Sequence, residues 1–316
     1  MMRVLVTGGC GFIGSNFIRW LLHSVPDVYI LNVDALTYAG NLGNLADIHH
    51  HPCYMFRKAD IADPEAVYSI FNMPPFDLIF NFAAETHVDR SLVDDSKFRR
   101  TNVVGTQNLI ERARATRRFV QISTDEVYGS LGPDDPPFTE ENPLQPRNPY
   151  SASKASADRL VLAAHHTSGL DTVITRCSNN YGPSQFPEKF IPLCITRAIE
   201  DRDLPIYGDG LQVRDWIHVL DHCRGIWAAA TRGCAGEVYN FGGDSERTNI
   251  EIAYKILRLL GKPNSLIRKV ADRPGHDRRY AMNFDKASRE LGWKPAIPFD
   301  FGLANTVRMY LANRRA

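Results

Sequence analysis

Short apolar runs rich in β-branched and aliphatic residues recur at residues 3–7, 29–33, 78–82, 118–122, 172–175 and 238–241. Each is too short for a stable helix, and turn-forming or polar residues separate them, so each predicts a buried strand. Between most of them lie stretches with helical spacing of apolar residues, for example 12–23, 103–115 and 151–168. Strands that alternate with helices predict an α/β fold built on a doubly wound parallel sheet. After Asn179 the texture changes, with Gly182, Pro183, Pro187, Pro192, Pro205, Gly208 and Gly210 close together. A smaller, loop-rich lobe is expected to start there. The strand-like Trp-Ile-His-Val run at 216–219, followed by a helix opened by an Asp, predicts a return to the main unit. The expected division is therefore a first domain of residues 1–178 and 215–243 and a second lobe of 179–214 and 244–316.

A chain of 316 residues with 44% hydrophobic and 23% charged residues can bury a sizeable core without disulfides or metals. Its net charge of +1, with both signs mixed along the chain, gives no footprint for nucleic acid or a membrane surface. A few local arginines remain free to hold an anionic substrate. The six cysteines, at positions 10, 53, 177, 194, 223 and 234, form no CxxC pair. That pattern suits reduced thiols better than a zinc site or a disulfide framework. No metal is expected, and His49, His50 and His51 before Pro52 predict an exposed loop. The start Met-Met-Arg runs into a predicted strand without a charged leader, and no apolar run reaches membrane-spanning length. A cytoplasmic protein is expected.

Candidate chemistry begins at the first turn. Gly8, Gly11 and Gly14 follow the first predicted strand and open the first helix. This allows a tight turn, close approach of a pyrophosphate, and a helix N-terminus aimed at it. Asp34 ends the second strand, where a carboxylate binds an adenosine ribose and repels a 2′-phosphate, so NAD is favoured over NADP. Asp60 and Ile61 can sit beside the adenine. Small residues in Phe82-Ala83-Ala84 suit a strand end that a cofactor passes closely.

Tyr150 and Lys154 lie one helical turn apart on the same face. A neighbouring ammonium is expected to lower the phenol pKa and make Tyr150 a base for hydride-transfer chemistry. Thr124, Asp125 and Glu126 follow the predicted strand 118–122, and such strand ends face the ligand crevice. Alone, either carboxyl reads as a cap or a solvated charge. As an adjacent pair they can act as acid and base, since like charges push their pKa values apart.

The segments TGGCGFIG, FAAETHVDRS, STDEVYG, NPYSASKAS, RCSNNYGPSQFPEKFIP, YGDGLQVRDWIHVLDH and DRPGHDRRY together resemble the extended short-chain dehydrogenases/reductases. Within these they resemble the dTDP-glucose 4,6-dehydratases. The resemblance implies a Rossmann-type sheet with a smaller C-terminal substrate lobe, bound NAD and a nucleotide-diphosphate sugar substrate. Carried over, Tyr150 oxidises the sugar 4-hydroxyl with Lys154 tuning it and holding the cofactor ribose. Thr124 holds the 4-oxygen, Glu126 takes the carbon-5 proton, and Asp125 protonates the departing 6-hydroxyl. Phe12, Ile13, Ala35, Thr37, Thr86, Thr101 and Asn180 are implied to join the cofactor contacts. Glu85, His87, Asn179, Lys189, Phe190, Pro205, Tyr207, Arg214, Asn249, Arg273 and His276 are implied to hold the substrate, with Arg214 and Arg273 on the diphosphate. Arg278 and Arg279 are expected to be surface charge. A homodimer through the helices at 103–115 and 151–168 is implied as well.

Two departures stand out: Cys10 replaces a common Ala, and residues 130–143 form a shorter stretch than in several members. UDP-glucose is the alternative substrate. Epimerases and decarboxylases of the same fold do not need the Asp125–Glu126 pair. A binding protein that has lost catalysis would be expected to lack Tyr150, Lys154 or that pair.

Overall fold

The structure, a computed structural model, describes residues 1–272 and 277–313. Its first half alternates β1 (Met2–Thr7), α1 (Phe12–Ser24), β2 (Val28–Asp34), β3 (Tyr54–Lys58), α2 (Pro64–Phe71) and β4 (Leu78–Asn81). Two short helices follow, α3 (Val88–Val93) and α4 (Ser96–Phe98), then α5 (Thr106–Arg112), β5 (Arg118–Ile122), α6 (Pro149–Ser168) and β6 (Thr172–Cys177). The remainder comprises β7 (Asn179–Tyr181), α7 (Phe190–Ile199), β8 (Leu204–Tyr207), β9 (Val213–His218), α8 (Val219–Arg232), β10 (Val238–Phe241) and β11 (Glu246–Thr248). Last come α9 (Asn249–Leu260), β12 (Ile267–Val270), β13 (Arg279–Tyr280), α10 (Asp285–Leu291) and α11 (Phe299–Asn313).

Seven strands form the main sheet in the order β10-β6-β5-β4-β1-β2-β3, with every neighbouring pair parallel. The pleat sends alternate side chains of β1 to opposite faces. Val4 and Val6 pack with Phe17, Ile18 and Leu21 of α1 and Val219, Cys223 and Ile226 of α8. Leu5 packs with Val67 and Ile70 of α2, Leu109 of α5 and Val161 of α6. Both faces are covered, which is why these strands read as continuous apolar runs. The strand at the β3 edge carries no such run: Met55 is exposed and Arg57 and Lys58 close it.

The second lobe holds a sheet in the order β11-β9-β13, with β7 also paired to β9, and a separate β8–β12 pair. Helices α7, α9 and α11 enclose its core around Ile191, Ile195, Trp216, Ile252, Ile256 and Leu303. The Trp-Ile-His run expected to rejoin the main unit is therefore a strand of this second sheet, and the chain returns to the main layers only at α8. That helix is capped by His218, which accepts from Leu220 N at 3.3 Å, rather than by Asp221. Asp221 is buried one turn further in, where it accepts from Ile297 N at 2.8 Å. The helix predicted at 103–115 starts earlier and is irregular, with a π-helical stretch over Arg99–Gly105 before α5.

Candidate active site

A cavity of about 880 Å³ opens along the C-terminal ends of β1, β2, β4, β5 and β6. Gly8 turns there with φ +69°, and a Cβ on it would lie 2.6 Å from Ala83 N. A Cβ on Gly14 would lie 2.5 Å from Gly8 O. Only glycine fits either place, so the turn stays shallow enough for a phosphate to reach the backbone. The wall continues through Gly11, Phe12, Ile13, Asp34, Ala35, Thr37, Asp60, Ile61, Phe82, Ala83, Ala84, Thr86, Thr101 and Asn180. The cavity thus gathers the full set of expected cofactor contacts. Asp34 is held rigidly: its carboxylate accepts from Cys10 N at 2.9 Å and Leu36 N at 2.8 Å. Burial pushes its pKa up against those two bonds.

At the other end of the cavity, α6 is started by a reciprocal cap between Asn148 and Ser151, with Pro149 in its first turn. Tyr150 and Lys154 are both buried on the face turned to β5, and Lys154 Nζ donates to Ile122 O at 2.6 Å. The expected lowering of the Tyr150 pKa is not what this geometry gives. Burial and the nearby Glu126 and Asp125 carboxyls hold the phenol well above its usual range. Burial also lowers the Lys154 pKa. Thr124 caps the turn Asp125–Tyr128, accepting from Glu126 N at 3.3 Å, and donates its hydroxyl proton to Asp125 Oδ1 at 3.1 Å. Burial, reinforced by Glu126, lifts Asp125 to about 8. Glu126 is raised by burial too, with Lys189, an Asn148 hydrogen bond and Arg214 opposing it. Asp125 is therefore protonated near neutral pH, next to a second raised carboxyl whose charge pushes its own pKa further up.

Of the residues expected to hold substrate, Glu85, Thr124, Asn179 and Lys189 line this cavity. His87 borders it through Glu188, 3.4 Å away, and Phe190 opens α7 next to Lys189. Arg214 reaches from β9: its guanidinium donates to Val213 O at 2.7 Å and Asp277 O at 3.0 Å and lies 4.6 Å over the Tyr280 ring. Its charge also acts on Asp125 and Glu126. Pro205 and Tyr207 sit on β8 and Asn249 opens α9, away from the cavity wall. Arg273 and His276 lie outside the described residues. Arg278 is exposed as expected and pairs with Asp209 at 3.0 Å. Arg279 is not simple surface charge: it forks onto Glu246 at 2.6 and 2.8 Å and is largely covered.

One group of cavity residues carries no sequence signal. Arg90 lies 4.1 Å over the Tyr38 ring and pairs with Glu188 at 3.1 Å, while Phe186 meets Tyr38 edge-on at 5.6 Å. Three separated segments thus meet in the cavity wall. Among the described residues no group of three or more His, Cys, Asp or Glu could hold a metal, and all six cysteines are free.

Residues 5–306 match the family described as GDP-mannose 4,6 dehydratase. A dTDP-glucose 4,6-dehydratase of an Actinoplanes species is 49% identical over 320 residues, covering 99% of each chain. One from Shigella flexneri is 50% identical over 338 residues, covering 99% of this chain and 93% of the relative. A solved dTDP-glucose 4,6-dehydratase of Streptomyces venezuelae with NAD bound superposes with a TM-score of 0.96 at 49% identity, covering 99% of this chain and 98% of that one. A UDP-glucose 4-epimerase of Thermotoga maritima shares the fold with a TM-score of 0.92, over 99% of this chain and 100% of that one, but at 27% identity.

Proposed function

We propose, because this chain belongs to the dTDP-glucose 4,6-dehydratase family, that it converts dTDP-glucose to the 4-keto-6-deoxy sugar nucleotide by oxidation, loss of water and hydride return. The observation that carries this is the adjacent pair of buried Asp125 and half-buried Glu126 beside Tyr150, in a cavity continuous with the glycine turn. The glycine cradle and the fixed Asp34 carboxylate fit NAD, which when bound supplies the hydride acceptor and donor. UDP-glucose is not favoured, since the relatives at about half identity are named for the thymidine nucleotide.

Tyr150 takes the proton of the sugar 4-hydroxyl while Thr124 holds the 4-oxygen. The phenol is held protonated in the free site, so its activation needs positive charge close by, and Lys154 one turn along the same face supplies it. The new 4-ketone acidifies carbon 5, and Glu126 removes that proton. Asp125, protonated near neutral pH, gives its proton to the 6-hydroxyl, which leaves as water. Arg214 and Lys189 hold the diphosphate, and Phe12, Ile13, Thr86 and Asn180 frame the cofactor.

We further read residues 1–178 with 219–243 as the cofactor unit and the rest as the substrate lobe. A homodimer through the helices at 103–115 and 151–168 is supported by apolar exposure at Val104, in the π-helical stretch that leads into α5. A reducing, cytoplasmic setting is supported by the free cysteines. No helix among the described residues is long and apolar enough to cross a membrane.

Turnover of dTDP-glucose in deuterated water tests the reaction. Product should carry one deuterium at carbon 5, and the hydrogen arriving at carbon 6 should come from carbon 4 of the same molecule. A product that keeps its 6-hydroxyl would replace dehydration with epimerisation.

A further inference from the structure

The face of α6 that carries Tyr150 and Lys154 continues for another turn to Asp158, which is fully buried. Residues at this spacing are neighbours on a helix surface. One oxygen of its carboxylate, Oδ2, accepts from Ser123 Oγ and from Arg176 Nε, each at 3.0 Å. The other, Oδ1, is buried with no hydrogen-bond partner among the described residues. Ser123 directly follows Ile122, whose carbonyl takes the Lys154 ammonium, and directly precedes Thr124. Two successive rungs, Lys154 to Ile122 and Asp158 to Ser123, therefore tie α6 to the strand end that becomes the catalytic turn. Arg176 on β6 extends the tie: its Nη1 donates to Tyr128 OH at 2.8 Å, and Tyr128 ends that same turn and donates to Asn240 Oδ1 at 2.9 Å.

Asp158 does not reach the cavity, so it touches no substrate. It is nonetheless the carboxylate whose field opposes the burial of Lys154. The other groups acting on Lys154 are the Ile122 carbonyl and the Cys177 thiol, which burial keeps protonated, with Tyr150 one helical turn before it on the same face. Asp125 and Glu126 act on Tyr150 instead. A buried ammonium without a nearby anion gives up its proton. A neutral Lys154 would leave Tyr150 with two carboxyls and no cation beside it.

We propose that Asp158 is a positioning residue for the oxidation step, a buried counter-charge that keeps Lys154 an ammonium so that Lys154 can draw out the Tyr150 phenolate. This rests on the roles given above to Tyr150 and Lys154. Asp158 acts through charge, and its Ser123 and Arg176 bonds fix that charge one turn behind the lysine.

Two variants of the full-length protein with its cofactor test it. Asp158→Asn removes the charge but strands Arg176. Asp158→Asn with Arg176→Gln removes both charges of the buried pair and keeps the test open if the single variant does not fold. The Lys154 titration is followed by NMR of lysine labelled with carbon-13 at the ε position, assigned with Lys154→Met. Loss of an opposite charge one helical turn away should lower the Lys154 midpoint by about one pH unit or more. In parallel, dTDP-6-deoxyglucose, which has no 6-hydroxyl to lose, stops the reaction after oxidation. Its single-turnover oxidation, read as near-ultraviolet absorbance, should fall off at correspondingly lower pH in the variants. A folded double variant with an unmoved Lys154 midpoint overturns the inference. Should Lys154→Met oxidise the analogue at the wild-type rate, the role of Lys154 itself falls, and Asp158 with it. Should Lys154→Met lose oxidation while the midpoint stays put in the Asp158 variants, the inference about Asp158 alone falls.

Discussion

The Thr124 hydroxyl donates to Asp125 Oδ1 across 3.1 Å, while Asp125 Oδ2 is buried with no hydrogen-bond partner among the described residues. An oxygen so placed is where the acidic proton belongs, since a bare anionic oxygen in that position would be strongly disfavoured. With Asp125 lifted to about 8, the protonated form carries the elimination. The water-loss rate should hold through neutral pH and decline as pH rises through about 8. The dTDP-6-deoxyglucose analogue separates this limb from that of the oxidation step. A profile flat to pH 10 would remove Asp125 as the acid.

The same burial costs stability. Asp125 is protonated in the folded chain and ionised in the unfolded chain between its usual value of 3.8 and about 8, so it weakens the fold progressively as pH rises through that window. Asp125→Asn removes the penalty. Its stability gain over wild type should grow by up to about 1.4 kcal/mol per pH unit across the window. Denaturant melts at pH 5 and pH 8 check this, and an equal gain at both would contradict it.

For chemistry, Asp125→Asn and Glu126→Gln should each slow dehydration by roughly 10²- to 10⁴-fold while part of the oxidation survives. Rapid-scan near-ultraviolet absorbance should then show reduced cofactor accumulating without release of 4-keto-6-deoxy product. Wild-type dehydration by both amide variants would reopen the epimerase or decarboxylase alternative.

Arg214→Ala should raise the Michaelis constant far more than it changes cofactor content, with a loss of roughly 2–5 kcal/mol if the phosphate it meets stays buried. Tyr280→Leu removes the ring beneath the guanidinium and should give a smaller change in the same direction. An unchanged Michaelis constant for Arg214→Ala would place the diphosphate elsewhere.

Denaturing release followed by chromatography should yield NAD, not NADP, from the purified protein, because Asp34 is fixed by two backbone N–H groups. Glu188→Ala breaks the pairs to His87 and Arg90 and should speed cofactor loss on repeated gel filtration without altering which cofactor is found. Cofactor retention equal to wild type would mean that these contacts in the cavity wall are not a latch.

Legibility followed physical signal. Strands β1, β2, β4, β5, β6 and β10 were readable because both sheet faces are covered, which writes an apolar run into the sequence. The edge strand β3 is half-exposed and ends Arg57-Lys58, so it carries no such run. The short strands β7, β11 and β13 are fixed by pairing with β9 rather than by their own composition. The glycine turn, Asp34 and the Tyr150–Lys154 spacing are local patterns and could be found in the chain. Tyr38, Arg90, Phe186 and Glu188 meet only after folding, and no spacing announces them. The Tyr150 phenol departs from the sequence expectation for a related reason: one helical turn sets proximity to Lys154, but burial beside Glu126 is a tertiary fact.

The neighbourhood of β10 and β6 has a consequence for synthesis. Residues 178–237 lie between these strands in the chain, yet they pair side by side, Val238 opposite Ile174 and Phe241 opposite Cys177. A nascent chain that has emerged only as far as Cys177 has six of the seven strands, and β6, buried throughout in the finished protein, lacks the β10 partner that covers its hydrogen-bonding edge. Such an edge invites other chains to add to it, and so distant a pairing is slow to form. Most of the intervening segment must emerge from the ribosome before that edge is sealed. Chains truncated inside 178–237 should collect as aggregates rather than as a soluble cofactor-binding fragment.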